Sequence, residues 1–155
     1  MKKILVTLFL VVIRVVYANA QIYDPIKWET TVEDISKNEA TVVITAQLKP
    51  GWHIYSQFIE EGGPIPTKFT FKEGTGYLLS GTIKESPEAI TAFDPNFDMQ
   101  IAWHKSKVRF SQKVKLTEPN VEIAGTVEFM VCNDANCLPP DEVPFEVSFA
   151  SNGSV

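Results

Sequence analysis

Both cysteines of the 155-residue chain stand in one ten-residue stretch, VCNDANCLPP, as Cys132 and Cys137. Four residues separate them and two prolines follow. Three chemistries are open to a pair at that spacing. It can be a disulfide staple, worth roughly 2 kcal/mol for a six-residue loop by chain-entropy arithmetic against about 3 for fifteen; a staple gains more by joining distant strands. It can hold a metal. C-x4-C lies at the wide end of zinc-finger spacing, and His53, His104, Met99 and Met130 are the side chains that would complete a zinc or copper(I) site. It can be a redox couple that cycles between dithiol and disulfide through a mixed disulfide.

The N-terminus bears on the compartment. A basic start, Met1-Lys2-Lys3, precedes a mostly apolar stretch from Ile4 to Tyr17, interrupted by Arg14. Ala18-Asn19-Ala20 is an A-x-A cleavage pattern. Together they predict a secretory signal peptide over residues 1–20, cleaved after Ala20, with residues 21–155 forming a single domain. The apolar stretch is shorter than the roughly 20 residues of a spanning helix, and no second run follows, so no membrane insertion of the mature chain is expected. The mature chain is expected to be periplasmic or otherwise secreted, and a monomer. Without its first 20 residues it carries 11 basic and 19 acidic side chains, a net charge of −8. That balance excludes nucleic acid and anionic membrane surfaces as partners, since both need clustered Lys and Arg.

The elements that must position the cysteines read as all-β. Val42, Ile44, Ala46 and Leu48 alternate with more polar neighbours. So do Val108 and Phe110, continued by Val114 and Leu116, and so do Val143, Phe145, Val147 and Phe149. Val121, Ile123, Gly125, Val127, Phe129 and Val131 form one long period-two run. Period two predicts strands with one buried face, and turn signals such as Pro50-Gly51, Gly62-Gly63-Pro64 and Glu118-Pro119-Asn120 separate them. No amphipathic helix is expected. An immunoglobulin-like β-sandwich follows, with a frayed tail from Ala150. If Val127, Phe129 and Val131 face the core, Cys132 leaves it at the strand's end. Asn133-Asp134-Ala135-Asn136 is turn-forming, and Leu138-Pro139-Pro140 is too stiff for a central strand. The pair is therefore expected beside a hairpin at a sheet edge, able to bridge if its Cα atoms come within about 7 Å. Trp28, Trp52 and Trp103 read as core or edge aromatics, and His104 as a turn residue beside Lys105.

The segment VCNDANCLPPDEVPFEVSF resembles the cysteine segment of the N-terminal domain of the thiol:disulfide interchange protein DsbD family: two cysteines in a short loop, an apolar residue, Pro-Pro, an acidic residue and a closing strand. LKPGWHIYSQF is similar to that family's glycine-aromatic-x-x-tyrosine strand, at Gly51, Trp52 and Tyr55. FDPNFDMQIAW is similar to its cap loop, with Phe97 as the covering residue between Asp94 and Asp98. VRFSQKVKL is similar to the strand after the cap. The resemblance runs over most of residues 25–149. Two departures stand out: family members have five residues between the cysteines, and they continue into transmembrane and thioredoxin-like domains, whereas this sequence ends at Val155.

The resemblance implies a cap loop over the cysteine pair and a protein-disulfide reductase role. Reducing equivalents would pass from a membrane thiol reductase to thioredoxin-like or disulfide-isomerase-like exported proteins. It implies that Cys137 makes the intermolecular mixed disulfide and that Cys132 resolves it. His53 and Tyr55, two apart on one strand face, would wall the site together with Asp94 and Phe97. Asp134 and Asp141 near the pair would raise a thiol pKa, and a cap would protect it from indiscriminate oxidation. Neither a cofactor nor a metal is expected. The alternative is a non-catalytic interaction or Zn/Cu-binding sandwich in which the pair is a staple or a ligand pair.

Overall fold

Alternation of buried and exposed side chains builds the strands. The computed structural model describes residues 24–94 and 97–150; the expected signal peptide, Pro95-Asn96 of the expected cap loop and the tail from residue 151 lie outside the described residues. Eleven strands occur among them in chain order: β1 Ile26–Glu33, β2 Glu39–Leu48, β3 His53–Tyr55, β4 Lys68–Phe71, β5 Tyr77–Ser86, β6 Ile90–Asp94, β7 Met99–Lys105, β8 Lys107–Leu116, β9 Asn120–Phe129, β10 Val131–Cys132 and β11 Asp141–Ala150. Every pairing is antiparallel, in three sheets of order β1-β2-β8-β5, β10-β3-β7-β6 and β11-β9-β4. The fold is the immunoglobulin-like all-β sandwich expected from the periodicity.

Val42, Ile44, Ala46, Val108, Phe110 and Val114 from the first sheet are buried against Val121, Ile123, Val127, Phe129, Phe145 and Phe149 from the third. Trp28 sits among Phe69, Phe110 and Phe129, with ring centroids 6.5, 6.2 and 5.1 Å away. Ile54 and Val131 from the second sheet join the same core.

Three sequence expectations need correction. The run from Val121 to Val131 is not one strand. It breaks at Met130, and the chain moves from β9 in the third sheet to β10 in the second. Val131 remains buried, so the alternation of burial hides the change of partner. Ala150 is the last residue of β11, not part of a tail. His104 is not at a turn: it lies inside β7, only 2% exposed. The turn is the single residue Ser106, at φ 60°, which carries the chain from β7 into β8 of the other sheet.

His104 forms part of a tie between the first two sheets. Glu85 of β5 is a register partner of Phe110 and therefore points inward. Its carboxylate accepts hydrogen bonds from Ser56 Oγ (2.8 Å), the Gln57 N–H (2.7 Å), Gln57 Nε2 (3.4 Å) and His104 Nε2 (3.0 Å). Burial alone would raise its pKa. The donors from His104, Gln57 and Ser56 together outweigh that and hold it below the ordinary carboxylate value. Charge here contributes stability that is whole above the unfolded-chain value of about 4.3 and drains as the pH falls through the lower folded value. Glu85→Gln should cost about 1.5–3 kcal/mol at pH 7, in line with hydrogen bonds to a charged group. Urea unfolding between pH 3 and pH 7 should show a shallower acid-side loss in the variant. An identical pH slope in variant and parent would contradict the tie.

Candidate functional site

Between residues 132 and 137 the chain turns back on itself. The Asn133 N–H donates to the Asn136 carbonyl (2.9 Å), and Asn133 Oδ1 accepts from the N–H groups of Ala135 (2.9 Å) and Asn136 (2.8 Å). This local bonding is why Asn favours turns. On the other side of the pair, the Leu138 N–H donates to the Val131 carbonyl (3.0 Å). The two backbone bonds bracket Cys132 and Cys137, which face each other as an antiparallel bridge without a backbone hydrogen bond of their own. Such pairs bring Cα atoms to about 4.5 Å, closer than hydrogen-bonded pairs. Here the Cα–Cα distance is 4.1 Å and the sulfurs are bonded to each other.

Register places the surroundings. Cys132 is opposite His53, and His53 opposite Lys105; Tyr55 is opposite Trp103, and Trp103 opposite Ile90. Cross-strand partners share a face, so Cys132, His53, Tyr55, Trp103 and, two residues from Trp103, Ile101 all lie on the outer face of the second sheet. Val131, Ile54 and His104 lie on its inner face. Cys132 thus leaves the sandwich core, as the alternation requires, yet it is fully buried. It forms a separate cluster with Tyr55 and Ile101, against which Ile59, Phe97, Met99, Trp103, Met130 and Cys137 pack.

Phe97 and Met99 of the β6–β7 hairpin pack against this cluster. Asp94 is paired with Met99, six residues along β7 from Lys105, the partner of His53. On a flat ladder six residues span about 20 Å. Asp94 Oδ2 nevertheless lies 4.0 Å from His53 Nε2 and 2.9 Å from the Tyr55 hydroxyl. The end of the hairpin must therefore curl back over the sheet. Phe97 sits at this end, half-buried, its N–H donating to the Asp94 carbonyl (3.3 Å) and its ring edge-on to Tyr55 at 6.0 Å.

A polar seam runs beside the disulfide. The Tyr55 hydroxyl donates to Asp94, which is 5% exposed. Burial, then the hydrogen bond and the charge of Asp94, push the Tyr55 pKa well above its ordinary value, so the phenol keeps its proton. That proton is committed to Asp94, so towards His53 the phenol oxygen can only accept. His53 Nε2, 3.4 Å away, is then the protonated nitrogen, and Nδ1 carries the lone pair. Burial is the main influence lowering the His53 pKa; Lys105 acts in the same direction, and together they outweigh the opposing charges of Asp94 and Asp134. The imidazole is neutral at pH 7. It lies 4.9 Å from the Trp103 ring, over which Lys105 Nζ sits at 4.6 Å. A cleft of about 400 Å³ opens here, lined by His53, Asp94, Trp103, Lys105, Lys49 and Asp134 among others.

The structure brings together Cys132, Cys137, Phe97, Asp94, Tyr55 and His53. It does not bring His104, which faces inward to Glu85 and cannot join a ligand set with the cysteines. Trp103 is not merely a core or edge aromatic: it stands on the site face against His53. Ile59 and Ile101 were also not legible as site residues, because each reaches the cluster through pairing or a loop path that only the fold defines.

The sequence matches the family model described as thiol:disulfide interchange protein DsbD, N-terminal, over residues 24–148. The fold is similar to the N-terminal periplasmic domain of ScsB from Proteus mirabilis, with a TM-score of 0.59 and 15% identity over 88% of this chain and 50% of that one. The chain therefore spans half the length of that structure's chain. A second similar structure is the N-terminal domain of Neisseria meningitidis DsbD in the reduced form, with a TM-score of 0.49 and 13% identity over 79% of this chain and 86% of that one. No curated protein sequence matches the chain.

Proposed function

The chain belongs to the DsbD N-terminal family of thiol:disulfide interchange domains, and from that premise we propose that it relays reducing equivalents in the periplasm. The donor is a membrane thiol reductase, and the acceptors are oxidised exported proteins of thioredoxin-like or disulfide-isomerase-like type. Interchange with thiol redox partners is the chemistry of the family. Export is supported by the A-x-A pattern at Ala18–Ala20 and by the periplasmic location of the ScsB domain. No helix among the described residues is long and apolar enough to cross a membrane.

The observation that carries the assignment of roles is an asymmetry of burial. Cys132 is fully buried, whereas Cys137 is partly exposed at the rim of the hairpin. A partner sulfur therefore reaches Cys137. In the reduced protein, the Cys137 thiolate attacks one sulfur of a partner disulfide; a mixed disulfide forms and the partner's other sulfur leaves as a thiolate. Cys132 then loses its proton and attacks Cys137 Sγ, releasing the partner's second thiolate. Two electrons have passed to the partner, and Cys132–Cys137 is a disulfide again. The membrane reductase returns two electrons and two protons by the reverse sequence. Phe97, on the hairpin end that curls over the cluster, is the cap, and a docking partner displaces it.

Two outcomes are expected. Cys132→Ser should accumulate a stable mixed disulfide with a partner, while Cys137→Ser should trap little. The reverse pattern on non-reducing gels would overturn the roles. Phe97→Ala should speed attack of glutathione on the oxidised protein by about tenfold, equivalent to about 1.4 kcal/mol of barrier, with little change in melting temperature. Equal rates would refute the cap, and a large drop in melting temperature would make Phe97 a core residue instead.

A further inference from the structure

Resolution of the mixed disulfide needs the Cys132 thiolate, and the fold makes that thiolate hard to form. An ordinary thiol has a pKa of about 8.5, and burial in apolar surroundings raises it. In the oxidised protein Cys132 is wholly buried beside Tyr55 and Ile101, a setting that gives its thiol little water to take the proton. A base on the same face would lower that barrier.

We propose that His53 is that base: its Nδ1 takes the proton from the Cys132 thiol as Cys132 Sγ attacks Cys137 Sγ and expels the partner's thiolate. The inference rests on the assignment of Cys132 as the resolving thiol. His53 is the direct cross-strand partner of Cys132, and opposed side chains have Cβ atoms about 4.5–5.5 Å apart. The hydrogen bond of Nε2 to the Tyr55 oxygen leaves the lone pair on Nδ1, for which the described residues hold no partner. The other polar groups facing His53 are less suited. From its own strand, Tyr55 holds its proton and donates it to Asp94. From β7, Lys105 is a cation and cannot accept. From β6, Asp94 Oδ2 stands on the Nε2 side of the ring, 4.0 Å from Nε2, where it accepts from Tyr55, and from the turn comes Asp134, which lies on the exposed side.

The step balances. Cys132–SH, the mixed disulfide and neutral His53 become the Cys132–Cys137 disulfide, a partner thiolate and a His53 imidazolium. The carboxylates of Asp94 and Asp134 offset the new charge. The imidazolium then returns its proton to the departing thiolate or to water in the cleft that it lines. The depressed pKa of His53 keeps it in the basic form at neutral pH.

The test uses the reduced mature protein and dithiobis(nitrobenzoate), whose two coloured thiolates are released in successive phases. The first reports attack by Cys137 and the second resolution by Cys132. In the parent, the second rate should rise with pH until His53 loses its proton, below about 6.5, and then stay level through pH 8. His53→Gln should slow the second phase by about 100-fold at pH 7 and give a rate that keeps climbing towards the thiol's own pKa, while the first phase changes little. A second phase in His53→Gln equal to the parent's would overturn the inference. So would a parent profile that climbs without levelling, a result that needs no variant to fold. Mass spectrometry of the adduct separates the two readings. An adduct on Cys132 instead of Cys137 removes the assigned roles and the base with them. An adduct on Cys137 with an unaltered second phase removes the base alone.

Discussion

Two sulfurs can bridge facing strands only where the backbone already holds their Cα atoms within about 7 Å, and a non-hydrogen-bonded pair of an antiparallel ladder does so. Much of this site follows from meeting that constraint. The four residues between the cysteines form a turn tied by Asn133, and the bonds Asn133 to Asn136 and Val131 to Leu138 fall on either side of the pair. The four-residue spacing therefore sets Cys132 directly opposite Cys137. The Pro139-Pro140 pair ends the hairpin before it can extend as a strand. The disulfide belongs to a short edge hairpin whose sulfurs face away from the sandwich core, while the neighbouring Val131 and Leu138 pack into it.

The change of sheets at Met130 sets which side of the hairpin holds the chemistry. Had β9 continued, Cys132 would project from the third sheet. Instead β10 pairs with β3, and Cys132 meets His53, Tyr55 and Trp103 on the outer face of the second sheet. That face is polar enough to hold a Tyr55–Asp94–His53 seam and apolar enough to bury Cys132. The Glu85 tie from Ser56 and Gln57 anchors the chain just after Tyr55, so the strand that carries both His53 and Tyr55 is fixed at its exit.

The strands with strict alternation, β2, β8, β9 and β11, are legible from residues alone, and so is the cysteine turn, because Asn133 and Asn136 declare it. The sheet switch is not, since Val127, Phe129 and Val131 keep one burial parity while the pairing partner changes. β5 is not legible either: Leu78 and Leu79 are both exposed, and a register shift between Ser80 and Lys84 breaks its period. His104 reads as a turn residue because of Lys105 beside it, while the true turn is the single residue Ser106. Asp94, Phe97 and Tyr55 are legible as one site only through the family resemblance. Their meeting depends on a curl of the β6–β7 hairpin that joins residues 39 positions apart in sequence, and no local pattern encodes it.

A working couple and a staple differ most in their midpoint potential. Equilibration of the purified protein across a series of glutathione and dithiothreitol buffers, with the thiol content read by alkylation and mass, gives the midpoint potential directly. A redox carrier should titrate well above about −300 mV, within reach of the thiol pools and carriers it exchanges with. A midpoint below about −300 mV would mark a structural disulfide and rule out a relay through this pair.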